Sequence, residues 1–203
     1  MTSDYHHGDL PCALRAAAVE LISEKGPNGF SLREVARRAG VSHAAPAHHF
    51  GDAQGLLTSV ATEGFAVLSD NMRQVHEAGG PARTQITELG RSYVHTALAN
   101  PGHYGVMIGH GYTDKENPDL IAASVAAYSV LIAVLQQVRD EYNPDLTDDE
   151  LERRATLTWS TVHGLVELAP ILGHVAEHTN TANNELDVLL EQFSDMIIAS
   201  IKP

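Results

Sequence analysis

The sequence predicts an all-α protein of about nine helices, and three observations carry that reading. Apolar residues recur at helical spacing along nearly the whole chain of 203 residues, and no segment alternates convincingly as a strand. The hydrophobic share is 43% but the aromatic share only 5%, so the core has to be built from Ala, Leu, Val and Ile. Alanine richness favours helix because alanine loses no side-chain entropy there. Glycine and proline fall between the periodic stretches, as punctuation.

The elements follow in order. Asp9 is a fitting N-cap with Pro11 early in the first turn, and Leu14, Ala17, Ala18, Leu21 and Ile22 share one face up to Lys25-Gly26. Ser31 caps the next helix, with Glu34 three residues on as a capping box; Leu32, Val35, Ala36 and Ala39 face inward until Gly40. A short helix is expected from Ser42 to about Phe50 and a long one from Asp52 to about Ala78. Gly79-Gly80-Pro81 and Asn100-Pro101-Gly102 break the chain. Further helices are expected at 82–99, 118–141, 147–169 and 183–201, with a short apolar piece at 103–109.

Charge narrows the function classes. The net charge is −13, whereas a nucleic-acid binder usually shows a basic footprint. The acidity is uneven: residues 1–60 hold 5 basic and 6 acidic side chains, the remainder 8 and 20. The near-neutral first segment also carries His6, His7, His43, His48 and His49. One cysteine, Cys12, excludes an internal disulfide framework and fits a reducing cytosol. The polar, acidic N-terminus is unlike a signal peptide, and no run of 18 apolar residues exists, so a cytoplasmic protein without membrane spans is expected.

The stretch SLREVARRAGVSHAAPAHHF, residues 31–50, holds two short helices separated by Ala39-Gly40-Val41. Glycine permits a sharp left-handed turn and Val41 can fill the angle between the helices. The second helix is too small and polar for a core, and the short side chains of Ser42, Ala44 and Ala45 allow close approach to a groove. An ordinary helical hairpin inside a bundle has the same spacing. Together with YHHGDL at 5–10 and HFGDAQGLL at 49–57, however, the stretch resembles the N-terminal domain of tetracycline-repressor-type (TetR) regulators over about the first 65 residues. WSTVHGL at 159–165 looks like the Trp-His-Gly signature of one C-terminal subclass.

The resemblance implies a three-helix helix-turn-helix DNA-binding domain over 1–60 and a ligand-binding and dimerisation domain over 61–203. It implies a homodimeric, ligand-responsive transcriptional regulator, most simply a repressor on a palindromic DNA operator, with a small-molecule effector and with no cofactor, metal or catalytic residue. Carried over by position, Ser31 and Arg33 would reach phosphates, and Ser42, His43, Ala44 and Ala45 would face base edges. His48 and His49 would lie toward the DNA backbone, and Phe50 would anchor the helix. Arg37 and Arg38 fit either a phosphate-facing role or a solvated face. Three departures weaken DNA contact: Ala47 stands where the family usually has Tyr, Ala53 stands where it usually has Lys, and the recognition helix contains no Lys or Arg. They keep a second reading open, a dimeric helical module with weakened or lost DNA binding. The histidines suggest binding that strengthens from about pH 8 to about pH 6.

In the body, Tyr93, Tyr104, Met107, Tyr128, Trp159 and His163 are candidates for an effector site between helices, with plain core packing as the alternative. The stripe Leu186, Leu189, Leu190, Phe193, Met196, Ile197 and Ile201, with Leu151, Ala155, Trp159, Val162 and Val166, is expected at a dimer interface or inside the subunit. His174-Val-Ala-Glu177-His178 fits a zinc-hydrolase spacing, but no third ligand is evident, and an enzyme is not expected.

Overall fold

The computed structural model describes residues 10–179 and 185–202, with side chains described as far as Ile171 and again from Leu186. It contains α1 (Leu10–Lys25), a 3-10 turn (Pro27–Gly29), α2 (Leu32–Arg38), α3 (Ala45–Phe50), α4 (Ala53–Ala78), α5 (Ala82–Ala99), α6 (Pro101–Met107), α7 (Pro118–Tyr142), α8 (Asp148–Thr179) and α9 (Glu185–Ile201). No strand occurs among the described residues, as the all-α expectation requires. The expected cap Asp9 and the arm histidines His6 and His7 lie outside the described residues.

The chain divides into two compact units, Met1–Ala66 with Asn100–Ser124, and Val67–Ala99 with Val125–Pro203. This differs from the division at residue 60 read from the sequence. Residues 100–124 join the first unit because Val106 and Leu120 are buried in the same core as Leu14, Leu21, Val35, Leu56 and Val60. The α1 face expected to be apolar is the face that is buried. Each such leucine contributes roughly 1.5–3 kcal/mol by leaving water. Helix α6 packs closely on α1 at Gly102, where an added Cβ would fall 2.5 Å from the Val19 carbonyl oxygen and 2.5 Å from Ser23 Oγ.

In the second unit α5, α8 and α9 pack on one another. Ile86, Val94, Val134, Leu135, Leu190 and Ile201 are fully buried there. Gly90 lets α5 approach α9: a Cβ on it would lie 3.0 Å from the Phe193 ring and 3.3 Å from Leu190. Arg83 bridges to Asp195 and Glu191, at 2.9 Å each, and Arg91 to Asp187 at 3.2 Å.

Two expectations about the long helices change. Helix α8 does not end before Pro170 but runs through it to Thr179. An internal proline removes one hydrogen bond and crowds one carbonyl, while every flanking residue still gains a bond by propagation. The His174–His178 pattern therefore lies on a helix, with its side chains outside the described residues. Helix α7 is long and apolar enough to cross a bilayer. Val134, Leu135 and Val138 on it are nevertheless buried in the second unit, as in a core helix.

The terminal stripe also divides. Leu190, Phe193, Ile197 and Ile201 are buried within their own unit, as are Leu151, Ala155, Val162 and Val166. Met196 of the same stripe faces outward instead, as do Val188 on α9 and Leu157, Leu168 and Ile171 on α8. A helix with apolar residues on more than one side has two stripes, and the inner core takes one of them.

Candidate functional site

The segment that carries the helix-turn-helix reading is built from local chemistry. Ser31 is extended (φ −148°, ψ 138°) and its Oγ accepts the Glu34 N–H at 3.3 Å, the N-cap expected from the sequence. The hydroxyl keeps its own proton for an outward partner. Half of the capping box is missing, because the Glu34 carboxylate accepts from Arg37 instead, at 3.0 Å from Nε and 2.6 Å from Nη2.

Helix α2 ends in a glycine-capped turn: Val41 N–H donates to the Ala36 carbonyl at 3.0 Å and Gly40 N–H to that of Arg37 at 3.3 Å. Gly40 sits at φ +68°, a conformation that costs other residues. Val41 and Phe50 pack against the core from either side of α3.

Helix α3 starts at Ala45, three residues later than expected. The reason is Pro46, which lacks an N–H and disfavours helix in the residue before it, so it is tolerated only in the first turn. That proline was the signal in the sequence. It is buried, and it pins the start of the helix. Ser42, His43 and Ala44 therefore stand ahead of the helix, all exposed; Ala45 is half-buried, and His48 and His49 are exposed on its last turn. The structure thus brings Ser42, His43, Ala44, Ala45, His48 and His49 onto one short element, with Ser31 and Arg33 at the start of α2.

Behind them, Asp52 caps α4 through its Oδ1, which accepts Gly55 N–H at 2.8 Å. Gly55 is a residue whose necessity was not read from the sequence: a Cβ there would lie 2.0 Å from the Phe50 carbonyl oxygen. Ala47 is exposed and Ala53 half-buried.

The electrostatics of this segment depend on pairing more than on counting. Arg38 forks onto Glu24, with Nη1–Oε1 at 2.8 Å, and lies 3.8 Å from both Glu20 and Glu34. Arg37 is tied to Glu34. The Arg37 hydrogen bonds hold the Glu34 carboxyl at about 2, well below the usual range, and the Arg38 hydrogen bond also lowers Glu24. Arg33 is exposed and has no carboxylate within ion-pair distance among the described residues. Of the three α2 arginines, it alone presents an uncompensated charge.

In the second unit four of the six candidate effector residues meet. Tyr128 stacks on Trp159, with ring centroids 5.3 Å apart. Trp159 Nε1–H donates to Tyr93 Oη at 3.3 Å, and Tyr93 Oη is hydrogen-bonded to His163 Nδ1. Indole nitrogen can only donate, and the direction of the Tyr93–His163 bond follows the imidazole tautomer: with the ring proton on Nε2, Tyr93 donates to Nδ1. This requires a neutral imidazole, and burial indeed lowers the His163 pKa, with Glu167 opposing. Tyr128 donates to Glu152 at 2.6 Å; burial first and that bond second push its hydroxyl up to about 12. Tyr93, Tyr128 and Trp159, without His163, border an apolar cleft whose free space is about 30 Å³, walled also by Leu68, Met72 and Phe193. That is room for about one water. A ligand of any size enters only if side chains move.

Tyr104 and Met107 belong to the first unit. Tyr104 is buried, and Met107 closes over Gly64, where a Cβ would lie 2.5 Å from its Sδ. Sequence spacing could not separate these two from the other four, because all six lie on helices of similar pattern.

Comparison with known proteins agrees with this architecture. A model described as "Tetracyclin repressor-like, C-terminal domain" matches residues 86–193, and one described as "Bacterial regulatory proteins, tetR family" matches residues 14–60. The uncharacterized HTH-type transcriptional regulator YobS of Bacillus subtilis (strain 168) is 30% identical over 89 residues, 43% of this chain and 46% of that protein. The match thus spans about half the length of this curated relative. Among solved structures, a protein with unknown function from Rhodococcus sp. RHA1 is 29% identical with a TM-score of 0.78, covering 99% of this chain and 100% of its own. The TetR family transcriptional regulator PfmR from Thermus thermophilus shares the fold at 17% identity and a TM-score of 0.68, covering 94% of this chain and 99% of its own.

Proposed function

The chain belongs to the tetR family of bacterial regulatory proteins, and from that premise we propose that it is a cytoplasmic, homodimeric repressor that binds a palindromic operator and is released by a small apolar effector. The observation that carries this reading is the exposed run Ser42–Ala44 held ahead of α3 by the Gly40 turn and Pro46, together with the unpaired Arg33 on α2. Short side chains let the backbone approach base edges, and a lone guanidinium can take a phosphate. The outward apolar residues of α8 and α9 are the surface a second copy would cover, and a twofold dimer reads a twofold site. Binding-site selection with purified protein should enrich a palindrome; a random pool after several rounds would refute the operator reading.

The effector would enter beside Tyr128 and Trp159, widening the closed cleft and favouring a body conformation that mismatches the half-site spacing. Trp159 is the only tryptophan, so its fluorescence reports entry directly. A second reading, a dimeric helical module with weakened DNA binding, is favoured by the Glu-paired Arg37 and Arg38 together with Ala47 and Ala53. In that case the selection fails while Trp159 still responds to apolar ligands.

A further inference from the structure

Helices α4 and α5 present two faces within the second unit. One, with Leu68, Met72 and Leu89, looks into the apolar cleft. A neighbouring face of the same helices lines a separate, open groove of about 620 Å³ with Asn71, Gln74, Gln85, Glu88, Ser92 and His95. The two share no lining residue.

Hydrogen bonds cross the groove at both ends. Asn71 Nδ2 donates to Thr96 Oγ1 at 2.9 Å, and Gln85 Nε2 donates to the carbonyls of Val75 at 3.1 Å and Gly79 at 2.6 Å. The last two bonds orient the amide. A carbonyl only accepts, so the Gln85 nitrogen must face the end of α4 and its oxygen must face away from those carbonyls. Gln85 is 2% exposed, and its Oε1 has no hydrogen-bond partner among the described residues. A buried acceptor without a donor is an exception in native proteins, and it marks a place where a further donor fits.

The surroundings define that donor. The last carbonyls of α4, a helix of 26 residues, bring the negative end of its dipole to the groove. Glu88 adds a carboxylate; its partner Arg91, 2.6 Å away, is shared with Asp187 and so leaves negative charge in excess. Among the described residues no lysine or arginine lines the groove, and His95 is the only basic side chain there. Gln85 and Glu88 lie about one helical turn apart, ~5 Å along α5.

We propose that this groove binds a small organic cation with N–H donors, of the class of linear aliphatic diamines and polyamines. One ammonium donates to Gln85 Oε1 beside the end of α4, and the next lies against Glu88. The site stands apart from the apolar cleft and does not rest on DNA binding. A neutral polyol could satisfy Gln85 but would leave the carboxylate and the helix dipole without a counter-charge.

The test is titration of the full chain with 1,4-diaminobutane and spermidine at fixed ionic strength, followed on the Gln85 side-chain amide in ¹H–¹⁵N spectra. Saturable shifts of that amide are expected, with binding at least tenfold weaker in Glu88→Gln and changed less than twofold in Asp149→Asn, an equal loss of charge outside the groove. Tetramethylammonium, a cation without N–H donors, should bind at least tenfold more weakly than the diamine. Equal weakening in the two variants, or equal binding of tetramethylammonium, would reduce the effect to general attraction by an acidic protein and overturn the proposal. An unmoved Gln85 amide at saturating diamine would overturn it as well, leaving water to complete that acceptor.

Discussion

The two units put arginine and glycine to opposite uses. On α5, Arg83 and Arg91 reach carboxylates of α9, so charge joins two helices of the second unit. On α2, Arg37 and Arg38 turn to Glu34 and Glu24, so positive charge is cancelled within the first unit, where a nucleic acid would look for it. Gly55 is demanded by a backbone carbonyl, Gly90 by a ring and a leucine methyl that can give way. A count of residue types hides both contrasts. What matters is whether the partner atom belongs to the backbone or to a side chain, and whether the paired charge faces a helix or a ligand.

The glycine contrast should produce the largest effect. In Gly55→Ala the new Cβ meets the Phe50 oxygen at 2.0 Å, and the start of α4 must shift. A loss of about 3 kcal/mol is expected from overpacking against backbone. In Gly90→Ala the nearest atom is a ring carbon at 3.0 Å, and a loss of about 1 kcal/mol is expected. Urea unfolding of both variants measures the difference; equal losses would break the contrast.

The arginine contrast comes next. Removing the unpaired guanidinium of α2, in Arg33→Gln, should weaken operator binding about tenfold and flatten the slope of log K against log salt by about 0.9 per subunit. Glu34→Gln keeps an accepted capping-box residue and frees Arg37, so affinity should rise about two- to fivefold with a steeper slope. Asp195→Asn, which loosens an α5–α9 bridge, should leave the salt slope unchanged. A salt slope that ignores Glu34 would mean that Arg37 plays no part in the DNA-facing field.

Protonation separates the units more finely. Burial holds His163 below its ordinary value, so the folded chain binds fewer protons there than the unfolded chain. That contribution to stability is complete above the unfolded value near 6.5 and is lost as pH falls from there through the folded pKa. His163→Gln keeps an acceptor for Tyr93 and should flatten the stability curve between about pH 7 and 5. His103 in the first unit is lowered by burial too, with Glu63 opposing, so a residual slope should remain. Thermal melts read by Trp159 emission check this, and an unchanged curve would show that His163 does not titrate differently on folding.

The sequence by itself determined what short-range physics controls. The Ser31 cap, the Gly40 turn and the buried face of α1 each depend on interactions within one or two helical turns, and they stand where periodicity and capping chemistry put them. Pro46 was just as local, and it moved the start of α3 by three residues against a pattern that looked continuous. Tertiary structure alone decided the rest. Residues 100–124 sort with the first unit because Val106 and Leu120 find a core that spacing cannot locate. Arg38 meets Glu24, 14 residues away, only because α1 and α2 pack side by side. On α9 two apolar stripes compete for one interior, and the inner one goes to Leu190, Phe193 and Ile197 while Met196 is left outside. The amide of Gln85 is oriented by carbonyls at the end of another helix. Helical periodicity says which residues share a face; which face meets which partner depends on distances between elements, and these exist only once the chain has packed.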